Sequence, residues 1–197
     1  MRFFAALGKN LREGAWFPWL RFLTVVIVFV LGIWLGRIAL RNDVVGELVH
    51  RFGYVGLFFV SLVAGFNVVV PIPAVAFIPL YLAAGMAFWP MTLVMVAGET
   101  IADLLSVWLG RTGRELDNVR HARTVKRLER FRKKHFWAPL GLMFAFASAA
   151  PFPNEVLAIP LGIMGYRVWQ VAIPIFCGNL VFTAVTAYAL RAVLWGL

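Results

Sequence analysis

Residues 71–111 read PIPAVAFIPLYLAAGMAFWPMTLVMVAGETIADLLSVWLGR, and residues 151–191 read PFPNEVLAIPLGIMGYRVWQVAIPIFCGNLVFTAVTAYALR. Set eighty residues apart, Pro71 and Pro73 meet Pro151 and Pro153, while Gly85, Trp89, Gly98 and Arg111 meet Gly165, Trp169, Gly178 and Arg191. These residue types fix backbone shape and interfacial depth, so the coincidence marks a duplicated unit. Each copy opens on a Pro-x-Pro pair. A proline withholds a backbone donor and crowds the preceding turn, so each pair should divide an apolar segment into two half-helices. Interrupted segments at matching points of two halves point to a transporter core.

Composition places that duplication in a membrane. Of 197 residues, 62% are hydrophobic and 14% charged, with a mean hydropathy of +0.84. Such a chain reads as an integral membrane protein. A net charge of +10 does not call for nucleic acid, because the basic residues cluster beside apolar spans, where membrane topology requires them. Cys177 is the single cysteine, so no intrachain disulfide framework exists. His50, His121 and His135 fall in charged connectors without metal-ligand spacing. No hydrolytic triad or glycine-rich phosphate loop is present, so neither an enzyme nor a cofactor or metal site is expected.

Four segments follow. Residues 1–52 carry Arg2, Lys9, Arg12 and Arg21 ahead of an apolar run from Phe22 to Gly36, with Trp16, Trp19 and Trp34 as interfacial anchors. No small-residue cleavage site follows, so this reads as a retained transmembrane helix and an outer connector. Residues 53–110 form the first repeat and 136–197 the second, each read as a hairpin plus a transmembrane helix. Residues 111–135 form a basic helix between them. Across 53–110 the only charges are Glu99 and Asp103. The turn Val68-Val69-Val70-Pro71-Ile72-Pro73-Ala74-Val75 is apolar throughout, which favours reversal inside the membrane over a kinked full span. The expected fold is therefore all-α, an inverted repeat of re-entrant hairpin plus transmembrane helix, with an extra N-terminal span.

Orientation comes from charge. Placing the N-terminus, the 111–135 connector and Arg167 inside puts fifteen Lys and Arg on that side and four outside, namely Arg37, Arg41, Arg51 and Arg191. The N-terminus is then cytoplasmic, the C-terminus outside, and the host the cell (inner) membrane. Within the connector Arg120, Arg123, Arg127, Arg130 and Lys134 share one helix face, suited to anionic headgroups or to setting topology. Its apolar residues drift around the helix and make no single seam.

Charge retained at depth marks chemistry. Glu99 and Asp103 are four residues apart and share a helix face, so both cannot ionise freely in a low dielectric; the pair should hold a proton or attract a cation. Their counterparts eighty residues on are Asn179 and Thr183, polar but unable to titrate. Asn154 and Glu155 follow the second Pro-x-Pro, where Asn154 is a candidate helix cap and Glu155 either a dipole-stabilised carboxylate or a coupling acid. Asn67 is the polar side chain offered near the first turn.

Gly98-Glu99-Thr100-Ile101-Ala102-Asp103, followed by Leu109-Gly110-Arg111-Thr112-Gly113, resembles the Gly-x(4)-Asp and Leu-Gly-Arg-x-x-Gly pattern of the DedA/VTT membrane proteins. The resemblance spans about Gly53 to Leu190, and Asp103 and Arg111 match its first motif by position. It implies two opposed re-entrant hairpins and movement of polyprenyl phosphates or phospholipids across the bilayer, in several members driven by ion gradients. The chain departs from the family's Arg-Phe-x-Pro-x-x-Arg at the second hairpin, where it reads Ser148-Ala149-Ala150-Pro151-Phe152-Pro153-Asn154 and lacks both arginines. Glu155 through Pro160 and Gly178-Asn179 also resemble small-multidrug-export-type proteins.

The resulting expectation is a lipid flippase with membrane lipids and their anionic headgroups as partners, and with self-association left open. Glu99, Asp103 and Glu155 would carry the coupling ion. Arg111, Asn154, Asn67 and Asn179 would face the headgroup, and Pro71, Pro73, Pro151 and Pro153 would make the breaks. The rival expectations are an ion-coupled exporter of small amphipathic molecules and a non-transporting membrane scaffold.

Overall fold

The computed structural model describes residues 43–66, 73–116, 123–149 and 153–195, with scattered positions between 23 and 41. Asn67, Pro71 and Pro151 lie outside the described residues, as does most of the turn expected around each Pro-x-Pro. All regular structure among the described residues is helical. Helix α1 is Asp43–Ala64, bent at Gly53, whose φ of 47° lies outside the helical region. A short 3-10 turn at Ala74–Phe77 runs into α2, Ile78–Ala83. The remaining helices are α3 (Phe88–Glu115), α4 (Arg123–Lys134), α5 (Trp137–Ala149), α6 (Glu155–Ile163) and α7 (Val168–Trp195). Arg111 thus belongs to the last turns of α3 and not to the connector. No proline intervenes there, and the Thr112 hydroxyl donates back to the Trp108 carbonyl at 3.1 Å.

Helices α2 and α6 end identically. Gly85 and Gly165 adopt φ of 82° and 84°, a left-handed conformation that only glycine enters without steric cost. Met86 N–H donates to the Tyr81 carbonyl at 3.2 Å, and Tyr166 N–H to the Leu161 carbonyl at 3.2 Å. Gly85 and Gly165 N–H close the inner bonds to Leu82 and Gly162, completing two Schellman caps. Three residues later α3 and α7 start, each 28 residues long. The openings also correspond, with the Pro73 carbonyl accepting from Ala76 N–H and the Pro153 carbonyl from Val156 N–H, at 3.1 and 3.2 Å.

Helices α3 and α7 are long and apolar enough to cross a membrane. At 1.5 Å per residue each runs about 42 Å, more than a bilayer core of about 30 Å requires. They pack antiparallel, as their two apolar clusters show. One joins Met91 and Met95 early in α3 to Ala187 and Leu190 late in α7, with Tyr81, Leu82 and Met86 from α2 and its cap. The other joins Val107 late in α3 to Val171 and Ile175 early in α7, with Leu161, Met164 and Tyr166 from α6 and its cap. Helix α1 lies on α3 and α5 on α7, while α6 packs along α3.

Close approach at the two lateral contacts depends on glycine. A Cβ on Gly98 would stand 2.8 Å from the Phe58 carbonyl oxygen of α1, and one on Gly178 would stand 3.0 Å from the Phe144 carbonyl oxygen of α5. With little hydrophobic drive between helices in lipid, such small-residue contacts let backbones pack by dispersion. The outer surface is apolar and aromatic instead: Trp89, Leu93, Leu105 and Trp108 on α3 and Trp169, Ile173, Val185 and Tyr188 on α7 are exposed. We expect Gly98→Val and Gly178→Val each to cost roughly 1–3 kcal/mol through overpacking. Thermal unfolding in detergent checks this, with Gly141→Ala as a control, since a Cβ there meets nothing within 4 Å.

Candidate functional site

Glu99 and Asp103 sit one turn apart on α3, and Asn179 and Thr183 sit one turn apart on α7. Because the helices run antiparallel, the four side chains pair crosswise. The Thr183 hydroxyl donates to Glu99 Oε2 at 3.2 Å, and Asn179 Nδ2 donates to Asp103 Oδ2 at 2.9 Å. In the eighty-residue correspondence Glu99 matches Asn179 and Asp103 matches Thr183, so each bond is the other's counterpart. The sequence comparison named these matched positions; their crosswise pairing needed the packing direction.

A third element completes the cluster. Asn154 Nδ2 donates to Asp103 Oδ2 and to Asn179 Oδ1, both at 2.9 Å. The expected capping role of Asn154 is therefore corrected. Its backbone is already helical, with φ −61° and ψ −23°, and its side chain makes no cap bond to α6. The carboxamide reaches across to α3 and α7 instead. Glu155, the next residue, is 3% exposed and lies within electrostatic reach of Asp103. In the first half the matching residues, Ala74 and Val75, are apolar and buried in the core. Among the described residues, the second broken segment alone brings polar groups to the crossing.

Asp103 is the hub, 2% exposed and contacted from two elements besides its own helix. Its hydrogen-bonded partners are neutral amides, while Glu99 one turn away and Glu155 across the gap carry like charge. Burying a carboxylate costs several kcal/mol unless it is hydrogen-bonded, and here the donors that meet it are neutral amides. Buried hydroxyls of Ser61 and Thr100 add polarity nearby along α1 and α3, and neither has a hydrogen-bond partner among the described residues. Sequence reading passed over both, since an isolated Ser or Thr in an apolar helix carries no spacing signal.

The remaining expected positions separate from this cluster. Arg111 lies eight residues beyond Asp103 on α3, and its backbone nitrogen packs against Gly162 of α6. Pro73 is extended, with φ −70° and ψ 126°, at the mouth of the first 3-10 turn. Pro153 immediately precedes Asn154 and so sets where that carboxamide begins. Removing a donor from buried Asp103 should be costly: Asn179→Ala is expected to lower stability by about 1–3 kcal/mol. In an Asp103→Ala background the same change should cost at least about 0.5 kcal/mol less. A double-mutant cycle in detergent checks this, and simple additivity would remove Asp103 as the hub. No family model, curated protein or solved structure matches the chain.

Proposed function

We propose that this chain is an integral membrane transporter of DedA/VTT type that moves an anionic lipid, a polyprenyl phosphate or a phospholipid, across the bilayer. A proton or cation held by Glu99, Asp103 and Glu155 drives the movement. The observation that carries this reading is the depth of the polar crossing. Nineteen residues separate exposed Trp89 from exposed Trp108, and nineteen separate exposed Trp169 from exposed Tyr188. That spacing is roughly 28 Å along a helix, the thickness of a hydrocarbon core flanked by aromatic belts. Glu99 and Asn179 fall at the centre of each interval. Ionisable groups at that depth in an otherwise apolar chain are functional by default.

The matching caps, openings and glycine contacts support an inverted repeat of two hairpins, each followed by a span, with the hairpins re-entrant. Asn154 supplies the coupling. Its carboxamide ties the broken end of α6 to Asp103 and Asn179 at once, so loading Asp103 with a proton or cation exchanges the partners of that end. The hairpin is then released or retained according to the ion. Asn154, Asn179, Asn67 and Arg111 would contact the headgroup along the resulting path. The distribution of Lys and Arg supports a cytoplasmic N-terminus and an outer C-terminus in the cell (inner) membrane.

Two experiments test this reading. In liposomes carrying a fluorescent phospholipid or polyprenyl phosphate under a pH gradient, the Glu99→Gln, Asp103→Asn double variant should lose the gradient-driven part of the movement. Full-rate movement would sink the coupling role, and flux of a water-soluble amphipath without lipid movement would favour an exporter. Membrane depth has a separate check in Cys177, which is exposed on α7 eight residues past Trp169. In intact membranes it should resist maleimides, because the thiolate that attacks them does not form in the hydrocarbon core, and should react once the protein is unfolded in denaturant; rapid labelling in intact membranes removes α7 as a span.

A further inference from the structure

Helix α4 docks on the cap between α6 and α7. An Arg132 guanidinium nitrogen donates to the Gly165 carbonyl, and its Cζ stands 5.4 Å over the Tyr166 ring. The Tyr166 hydroxyl donates to the Phe136 carbonyl at 2.6 Å, and the two rings lie 5.4 Å apart. Arg114, whose guanidinium stands against the Gly165 turn, pairs with Glu129 of α4, so the charge of that acid is already matched. Between these parts lies a cavity of about 380 Å³ lined by Arg132, Lys133, Phe136, Gly165, Arg167 and Gln170. Three of its six lining residues are cationic and none is acidic.

We infer that this cavity is a binding site for a phosphate group. Arg132 is held by its bond to Gly165 and its stacking on Tyr166, so part of the ordering cost is met before a ligand arrives. Arg167 and Lys133 add a planar fork and a mobile point charge, the two donor geometries that suit phosphate oxygens. Gln170 accepts from the Arg167 backbone N–H at 2.9 Å, which leaves its amide nitrogen as a further donor. The cavity also stands at the first turn of α7, a 28-residue helix whose N-terminal end carries partial positive charge. Its volume falls within the range of small-molecule sites. Exposed Trp169, two residues past Arg167, sets the mouth at headgroup level. A lipid headgroup and a free phosphate monoester share the chemistry recognised here, and neither depends on the chain being a transporter.

The test uses the full chain in neutral detergent micelles, titrated by calorimetry with inorganic phosphate and, separately, with a short-chain phosphatidic acid. Saturable, salt-sensitive binding is expected. Lys133→Gln and Arg167→Gln, both at exposed positions, should each weaken it about fivefold, the effect of one charge near such a surface, without changing the melting temperature of the unliganded protein. Arg132→Lys, which keeps charge but loses the fork, should weaken it as well. Binding of both probes, sensitive to these variants, supports a phosphate site that takes either source. Binding of the lipid alone supports a headgroup site, and binding of the inorganic ion alone a site for soluble phosphate. Binding of neither, or binding unchanged in the double Lys133→Gln, Arg167→Gln variant, overturns the inference.

Discussion

Asp103 has to be satisfied far from water, and the second half of the chain is arranged around that requirement. Two amide groups meet one carboxylate oxygen, one from α7 and one from the residue preceding α6. Neither donor can arrive unless α3 and α7 cross antiparallel at that level, with α1 and α5 seated on their flanks through the close contacts at Gly98 and Gly178. Packing, helix interruption and buried charge are therefore one problem. The glycines seat the flanking helices, the break lets Asn154 turn inward, and the amides offset the desolvation of the acid.

The same geometry explains why the two halves can share a backbone and differ in chemistry. Schellman caps, helix starts and lateral glycine contacts recur at matched positions, because those features are set by residues without functional groups. Polar groups recur only where α3 meets α7, since there each half faces the other. Where the broken segments approach, one half offers Ala74 and Val75 and the other Asn154 and Glu155. The caps and helix starts match between the halves, while the residues at Ala74-Val75 and Asn154-Glu155 differ in chemistry.

Much of this was legible in the residues alone. Pro, Gly and Trp at fixed offsets marked matched positions that set backbone shape, and the chain turns at two of them, Gly85 and Gly165. Glu99 and Asp103 stood out because charge in a long apolar stretch is expensive wherever the chain folds. Partner identities were not legible. That Asn179 would serve Asp103 and Thr183 serve Glu99 depends on the direction and register of α7, which no local pattern encodes. Asn154 was misread as a cap because its position before a helix matched that role, and tertiary contact overrode the local preference. The amphipathic character of α4 was likewise under-read: Val125 is buried and Leu128 packs on the second apolar cluster. Apolar spacing of three residues looked like drift until Arg132 supplied the remaining contact to the cap.

That fastening of α4 bears on energy as well as shape. The Gly165 turn is clasped by Arg132 and Tyr166, whereas the matching Gly85 turn has open space where a side chain would project. In a protein whose halves were equivalent, the states reached by moving one half or the other would be mirror images of equal free energy. Among the described residues one turn carries a charge-assisted bond that the other lacks. In the proposed transporter the two end states would therefore differ in free energy, with the segment fastened to the basic helix the harder to move.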